Sequence, residues 1–174
     1  MNTDFLRTAL TLAEHAIGLS SPNPRVGCVI ARGSQIVGQG FHLQAGGPHA
    51  EVHALHQAGA LAEGATAYVT LEPCSHYGRT PPCAKGLIEA GVARVVAAMT
   101  DPNPLVAGKG LAMLREAGID VSDGLLQTEA RALNRGFLSR IERARPFVRL
   151  KCAAGLDGKT ALANGQSQWI TGAE

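Results

Sequence analysis

The sequence predicts an α/β fold, a three-layer α/β/α sandwich around a mixed central sheet. Two observations lead to this prediction. Segments with the apolar pattern of strands alternate with segments of helical spacing over most of the 174 residues. The first two strands, at 26–31 and 35–40, are separated only by the turn Arg32-Gly33-Ser34 and therefore pair antiparallel, whereas helices connect the later strands, which favours parallel pairing.

The individual elements follow from apolar spacing and from glycine. Residues 5–17 have helical spacing and end at Gly18. After the hairpin, the pattern predicts helices at 49–58, 83–90, 111–117 and 125–140, and strands at 67–71, 93–99 and 119–121. Gly59 and Gly91 directly follow the first two of these helices and are suitable C-caps.

A change of character near residue 145 predicts a second unit. Arg143 and Arg145 precede Pro146, and residues 147–152 have the pattern of a new strand. We therefore assign residues 1–145 to one domain, and residues 146–174 to a linker and the N-terminal fragment of another domain. The arginines between 131 and 149 invite a nucleic-acid interpretation, but a solvated helix face followed by a linker is the favoured one.

Composition and charge argue against several classes of protein. The net charge is +2 and aromatic residues make up 4%, so we expect no nucleic-acid partner and no base-stacking surface. No apolar run reaches the roughly 18 residues of a membrane span, and the N-terminus has no secretory pattern, so we expect a cytoplasmic protein with no membrane partner. Cysteines in such a protein are more often metal ligands, catalytic groups or core residues than disulfides, and Cys28 and Cys152 are expected in the core.

Three short segments carry the predicted chemistry: His49-Ala50-Glu51, Pro73-Cys74 and Cys83. One imidazole and two thiolates supply the three protein ligands of a catalytic zinc site, which keeps an open position for water. Glu51, two residues after His49, is near enough to exchange protons with the water that a zinc ion activates, without being a ligand. His-x-Glu followed by Pro-Cys is the pattern of zinc-dependent nucleobase deaminases.

Other interpretations of these residues stay open. Eight residues separate the two cysteines, which is wider than the usual deaminase spacing of two, and His49, Cys74 and Cys83 could be unrelated core residues. His53, four residues after His49, could be a fourth ligand, which would make the protein a non-catalytic zinc-stabilised binding module. A deaminase of another nucleobase or nucleoside, such as cytidine, guanine or adenosine in tRNA, is a further alternative.

Longer motifs resemble one family in particular. They are Ser21-Pro22-Asn23-Pro24-Arg25-Val26-Gly27, His49-Ala50-Glu51, Leu71-Glu72-Pro73-Cys74-Ser75-His76, Gly78-Arg79-Thr80-Pro81-Pro82-Cys83, Asp101-Pro102-Asn103-Pro104 and Val106-Ala107-Gly108-Lys109-Gly110. Together they resemble the bifunctional deaminase/reductases of riboflavin biosynthesis over nearly the whole chain, and the wide cysteine spacing is similar to that family's own form of the pattern. The resemblance implies a cytidine-deaminase-like domain followed by the truncated start of a dihydrofolate-reductase-like domain.

The resemblance also implies an activity and a set of residues. The family's first domain deaminates 2,5-diamino-6-ribosylamino-4(3H)-pyrimidinone 5′-phosphate, and its second domain reduces the ribose with NADPH. By this resemblance His49, Cys74 and Cys83 would bind one zinc ion per chain, and Glu51 would be the proton shuttle. The residues implied in substrate binding are Asn23, His42, His76, Arg79, Asp101 and Asn103, of which Arg79 suits the phosphate.

The residues after 150 resemble the opening of the reductase domain. In that domain Ala153 and Trp169 would contact NADPH, and Ser167 would contact the substrate. Because so short a segment cannot build a dinucleotide pocket, we expect this chain to deaminate but not to reduce. The expected partner is a small-molecule pyrimidine ribotide, and we expect a homo-oligomer in the full-length protein.

Overall fold

The computed structural model describes residues 3–77, 81–104 and 106–167. The helices are α1 (Thr3–Glu14), α2 (Ala50–Ala58), α3 (Cys83–Glu89), α4 (Lys109–Glu116), α5 (Gln127–Leu133) and α6 (Arg135–Arg143), and a 3₁₀ turn spans Gly59–Ala62. The strands are β1 (Gly27–Arg32), β2 (Gln35–Phe41), β3 (Thr66–Val69), β4 (Arg94–Ala97) and β5 (Asp120–Asp123). No helix in the described ranges is long and apolar enough to cross a membrane.

The five strands form one mixed sheet in the order β2-β1-β3-β4-β5. Strand β1 pairs antiparallel with both β2 and β3, with a bulge between Ile30 and Ala31, and the pairs β3–β4 and β4–β5 are parallel. The parallel pairs are connected through α3 and α4, as helical crossovers require. The predicted mixed sheet that begins with an antiparallel hairpin is confirmed.

Alternate side chains along the strands belong to two separate cores. Ile30 of β1 lies in the core with α2, α3 and α4, where Leu87 is one of the fully buried residues. Val29, its neighbour in the strand, lies in the core with α1, α5 and α6, together with Leu6 and Ala130. Because the sheet is covered on both faces, the prediction of a three-layer sandwich is confirmed.

Two glycines of β2 let α2 lie directly on the sheet. A Cβ atom at Gly38 would lie 2.8 Å from Cβ of Ala58 and would overlap the carbonyl oxygen of Ala54. A Cβ atom at Gly40 would lie 2.7 Å from the carbonyl oxygen of Ala50, the first residue of α2. Real Cβ atoms rarely approach other heavy atoms to less than 3.0 Å, so a larger residue in either place would move the helix.

The helix predicted at 125–140 is two helices, so this part of the prediction is wrong. Helix α5 ends at Leu133, and α6 begins at Arg135. Asn134 lies between them and is buried, and its side chain accepts a hydrogen bond from the backbone N–H of Arg25 at 2.8 Å and donates one to the carbonyl of Arg25 at 2.9 Å. The two bonds join the break between the helices to the loop that precedes β1.

Residues 146–167 contain no helix or strand and are exposed throughout. The strand predicted at 147–152 is therefore wrong, since no neighbouring strand receives its backbone hydrogen bonds within the described residues. Cys152 is exposed, contrary to the expectation of a core residue, whereas Cys28 is buried as predicted.

Candidate active site

The start of α2 presents two of the groups that the sequence singled out. His49 is the N-cap residue of α2, with an extended backbone (φ −77°, ψ 166°). Its imidazole is half-buried, and Nδ1 lies close to two sulfur atoms. Glu51 lies in the first turn of the helix and is only 3% exposed. One helix end therefore supplies both an imidazole and a buried carboxyl group.

Cys74 and Cys83 complete a compact group with His49. Cys74 lies in the loop after β3, and Cys83 is the first residue of α3. Nδ1 of His49 lies 3.2 Å from Sγ of Cys83 and 3.6 Å from Sγ of Cys74. The backbone N–H of Cys83 donates a hydrogen bond to Sγ of Cys74 at 3.3 Å, which stabilises negative charge on that sulfur.

The three side chains fit a zinc ion. Their potential ligand atoms all lie within 4.8 Å of one another. A tetrahedral site with Zn–S of about 2.3 Å and Zn–N of about 2.0 Å separates sulfur from nitrogen by about 3.5 Å, and the N···S distances of 3.2 and 3.6 Å lie on either side of that value. His53 is exposed and lies outside the group, so the interpretation with His53 as a fourth ligand is wrong, and the group found among the described residues has three members.

The two thiols perturb each other because they lie so close together. The hydrogen bond that the Cys83 thiol donates to the sulfur of Cys74 lowers the pKa of Cys74 to about 4. The same hydrogen bond raises the pKa of Cys83 well above its ordinary value. The pair alone therefore favours a single negative charge, on Cys74, since a second charge would be buried and repelled. A divalent cation bound between the sulfurs removes this repulsion and allows both to be thiolates, as zinc coordination requires.

Glu51 lies beside this group without belonging to it. Burial raises the pKa of Glu51 to about 7. A carboxyl group of this kind accepts and returns protons near neutral pH, which is what a proton shuttle between a water molecule and a leaving amine must do.

The group opens into a cavity of about 300 Å³. The cavity wall contains His49, Glu51 and Cys74, together with the residues of the implied substrate set that the structure describes: Asn23, His42, His76, Asp101 and Asn103. The sixth member of that set, Arg79, lies outside the described residues. A cavity of this size and polarity suits one small polar molecule.

His42 and Asn23 form a fixed pair on this wall. Nδ1 of His42 lies 3.0 Å from the carbonyl oxygen of Pro48, which can only accept a hydrogen bond, so Nδ1 carries the hydrogen. Nε2 is then an acceptor and receives an N–H of the Asn23 amide at 3.1 Å. Burial lowers the pKa of His42, which favours the neutral ring that this arrangement needs. The two bonds fix the orientation of the Asn23 amide at the cavity.

Asp101 and Asn103 lie together in the loop that follows β4. The backbone N–H of Asn103 donates to Oδ1 of Asp101 at 2.8 Å, which closes a tight turn. Burial raises the pKa of the Asp101 carboxyl group. The turn presents a carboxyl group and an amide side by side on the cavity wall.

Two contributions to the cavity were not predicted from the sequence. Phe137, Arg140 and Ile141 of α6 form part of its wall, and Arg140 donates a hydrogen bond to the carbonyl of Pro22 at 2.9 Å. Glu72 also borders it, and its buried carboxylate accepts hydrogen bonds from the backbone of the Asp101 loop. The position of Glu72 two residues before Cys74 was a signal that sequence reasoning did not use, whereas nothing local in α6 indicates contact with the site.

Comparison with known proteins agrees with this geometry. Residues 1–99, which contain the three candidate ligands and Glu51, match the family described as the cytidine and deoxycytidylate deaminase zinc-binding region. The chain belongs to this family. The family description names zinc, which is the predicted cofactor, and the predicted cytidine-deaminase-like fold is confirmed.

Longer proteins resemble this deaminase-family chain over nearly all of its length. It is 61% identical over 167 residues to the riboflavin biosynthesis protein RibD of Escherichia coli strain K12, which covers 96% of this chain and 46% of the relative. The crystal structure of a diaminohydroxyphosphoribosylaminopyrimidine deaminase/5-amino-6-(5-phosphoribosylamino)uracil reductase from Thermotoga maritima is 44% identical, with a TM-score of 0.91 over 97% of this chain and 49% of that chain. The chain thus spans about half the length of these relatives.

A shorter relative of the deaminase family also superposes. It is a C-terminal deletion mutant of Aspergillus oryzae Rib2 deaminase in complex with DARIPP, 25% identical, with a TM-score of 0.61 over 80% of this chain and 93% of that chain. The part of this chain that superposes therefore corresponds to nearly the whole of the deletion-mutant chain.

The residues implied in the reductase part lie apart from the deaminase-family site. Ala153 and Ser167 are exposed and do not line the cavity, and Oγ of Ser167 donates to the carbonyl of Thr160 at 3.2 Å. Trp169 lies outside the described residues. The structure brings neither Ala153 nor Ser167 to the group around His49.

Proposed function

We propose that this deaminase-family domain hydrolyses an exocyclic amine from 2,5-diamino-6-ribosylamino-4(3H)-pyrimidinone 5′-phosphate, a step of riboflavin biosynthesis. The observation that carries the proposal is the group of one imidazole and two thiols beside a buried carboxyl group in a single cavity. The names of the Escherichia coli and Thermotoga maritima relatives support the substrate and the pathway.

In this proposal His49, Cys74 and Cys83 hold the zinc ion. Bound zinc supplies a Lewis acid that lowers the pKa of water to about 7. The carboxylate of Glu51 takes a proton from the attacking water, since it is buried beside the ligand group and faces the cavity. As the water oxygen bonds to the ring carbon, Glu51 passes this proton to the neighbouring ring nitrogen. It then moves the remaining hydroxyl proton to the amine, so that the C–N bond breaks, ammonia leaves and a ring carbonyl remains.

The cavity wall would orient the pyrimidine ring. The Asn23 amide, held by His42, and the paired groups of Asp101 and Asn103 offer hydrogen-bond donors and acceptors to a polar ring and its ribosyl group. His76, which is exposed at the cavity edge, would contact the outer part of the ribotide. The resemblance assigns the phosphate to Arg79.

We assign only deamination to this domain. Reduction with NADPH would belong to a longer protein, an assignment supported by the exposure of residues 146–167 and by the separation of Ala153 and Ser167 from the cavity. The division at residue 145, the cytoplasmic location and the homo-oligomeric state of the full-length protein stay predictions.

The experiment that tests the proposed function is ammonia release by the purified chain. The zinc-loaded chain should release ammonia from the diaminopyrimidine ribotide, and a chelator should abolish this activity until zinc is added back. Cytidine, deoxycytidylate and guanine are the comparison substrates.

The pattern of substrate turnover distinguishes the proposed function from its alternatives. Turnover of a comparison substrate without turnover of the ribotide would assign the chain to another nucleobase or nucleoside. A zinc-loaded chain that releases ammonia from none of them would contradict the enzyme assignment and support a zinc-stabilised binding module.

A further inference from the structure

We propose that Glu72 is a positioning residue that fixes the substrate-binding loop, residues 101–104 and 106–108, relative to the cysteine loop, residues 70–77, which follows β3 and carries Cys74. The inference rests on the proposed function, because it concerns how Asp101 and Asn103 are placed to bind the ribotide. Glu72 itself lies two residues before Cys74, and the residue is only 4% exposed.

The carboxylate of Glu72 accepts four hydrogen bonds from backbone N–H groups of one segment. Oε2 receives the N–H of Asp101 at 3.0 Å and that of Gly108 at 2.9 Å. Oε1 receives the N–H of Gly110 at 2.8 Å and that of Leu111 at 3.3 Å. Both ends of the loop are therefore bound to one side chain, together with the first turn of α4.

These bonds form a chain that leads to the cavity. Glu72 holds the backbone of Asp101, and Oδ1 of Asp101 in turn holds the N–H of Asn103 at 2.8 Å. Asp101 and Asn103 both line the cavity. The backbone N–H of Glu72 also donates to the carbonyl of Met99 at 2.9 Å, so Glu72 is tied to the segment that follows β4. A displacement of Glu72 would therefore displace both substrate-binding residues, Asp101 and Asn103.

A glycine contact shows how closely the cysteine loop approaches the start of α4. A Cβ atom at Gly110 would overlap the carbonyl oxygen of Pro73, the residue between Glu72 and Cys74. The cysteine loop and the start of α4 are thus in backbone contact, and the four hydrogen bonds of Glu72 hold this contact in place.

Only a carboxylate of this length satisfies four donors. An ionised carboxylate accepts at both oxygens and donates at neither. In Glu72→Gln the amide nitrogen would face two backbone N–H groups. Because this nitrogen can only donate, the two hydrogen bonds are lost and the amide N–H groups repel the backbone N–H groups. The variant keeps the size of the side chain and therefore tests the bonds rather than the packing.

The experiment uses the whole chain with Glu72→Gln, and Glu116→Gln as the matched control on the exposed side of α4. The first readout needs no substrate: hydrogen exchange of the backbone amides of residues 101–111 should become at least about tenfold faster in Glu72→Gln and unchanged in the control, with one zinc per chain retained in both. Unchanged exchange, or loss of zinc, would overturn the proposal.

The second readout is kinetic. We expect Glu72→Gln to raise KM for the ribotide at least about tenfold with a smaller effect on kcat, as the loss of charge-assisted hydrogen bonds that act on binding implies. In a double-mutant cycle with Asn103→Ala, the combined loss in kcat/KM should be clearly smaller than the product of the single losses, because both changes act on one loop. Independent, multiplying losses would refute a role through Asn103.

Gly110→Ala tests the same link from the opposite side, without changing the charge. It should reproduce the faster exchange and the higher KM, and wild-type values would contradict the inference even if Glu72→Gln failed to fold. A wild-type chain that releases no ammonia from the ribotide would refute the proposed function, while the exchange measurement would still decide the role of Glu72.

Discussion

Replacement of Gly40 by alanine should separate the zinc-binding end of α2 from the sheet. The added Cβ atom would overlap Cβ of His53 and lie 2.7 Å from the carbonyl oxygen of Ala50, whereas ordinary contacts begin at 3.4 Å, so the two elements must move apart by at least about 0.7 Å. Ala50 lies between His49 and Glu51, and this displacement therefore falls on both groups. Because a 1 Å misplacement at a reacting centre costs about 10²-fold, we expect kcat to fall by about 10- to 100-fold.

The assay combines activity, metal content and thermal unfolding. Overpacking costs about 1–3 kcal/mol, and for a chain of 174 residues each kcal/mol lowers Tm by about 2–4 °C. We therefore expect Gly40→Ala to lower Tm by about 2–12 °C, together with slower ammonia release from the ribotide.

Two other glycines serve as controls. Gly38→Ala disturbs Ala54 and Ala58, which lie further along α2, and should cost similar stability with a smaller loss of kcat. Gly136→Ala, in α6, places its Cβ where nothing lies within 4 Å and should not lower Tm. Wild-type kcat and Tm in Gly40→Ala would refute the idea that β2 sets the position of the site.

Three further outcomes follow from the site and its supports. Glu51→Gln should keep its zinc by metal analysis, while turnover falls by at least about 10²-fold; near-normal turnover would place the proton shuttle elsewhere. Cys74→Ala and Cys83→Ala should each lose zinc, and full zinc retention in both would rule out this ligand set. Asn134→Ala removes the two hydrogen bonds of a buried side chain, so it should cost about 2 kcal/mol and lower Tm by about 4–8 °C, whereas Asn164→Ala, in the exposed segment, should leave Tm unchanged.

Much of the fold could be predicted because local patterns specify it. The alternation of strand and helix patterns, and the short turn at Gly33, were sufficient for the mixed three-layer sheet. The break at Asn134 could not be predicted, because the residue that explains it is Arg25, 109 positions earlier. The strand predicted at 147–152 failed for the opposite reason: its pattern is apolar, but a strand also needs a neighbour to bond with.

The site shows the same division between local and distant information. Short motifs contained His49, Cys74 and Cys83, and the structure brings their ligand atoms into one group. The part of the wall that α6 supplies depends on how this distant helix packs, and the sequence of α6 does not predict its contact with the cavity. Glu72 is part of one of the quoted motifs, but its proposed role depends on hydrogen bonds from backbone N–H groups. Nearly every residue type has such a group, so the sequence does not show which of them Glu72 binds.

The spacing of the site along the chain has a consequence for the order of assembly. The candidate ligands span only 34 positions, from His49 to Cys83, on elements supported by β1, β2 and β3. Helix α6, which completes the cavity, begins at Arg135, when the ribosome has added about 50 further residues. The topology therefore allows a nascent chain to bind its metal before it has a complete cavity for the pyrimidine ring. Metal loading and substrate binding would then be two successive stages in the maturation of the domain.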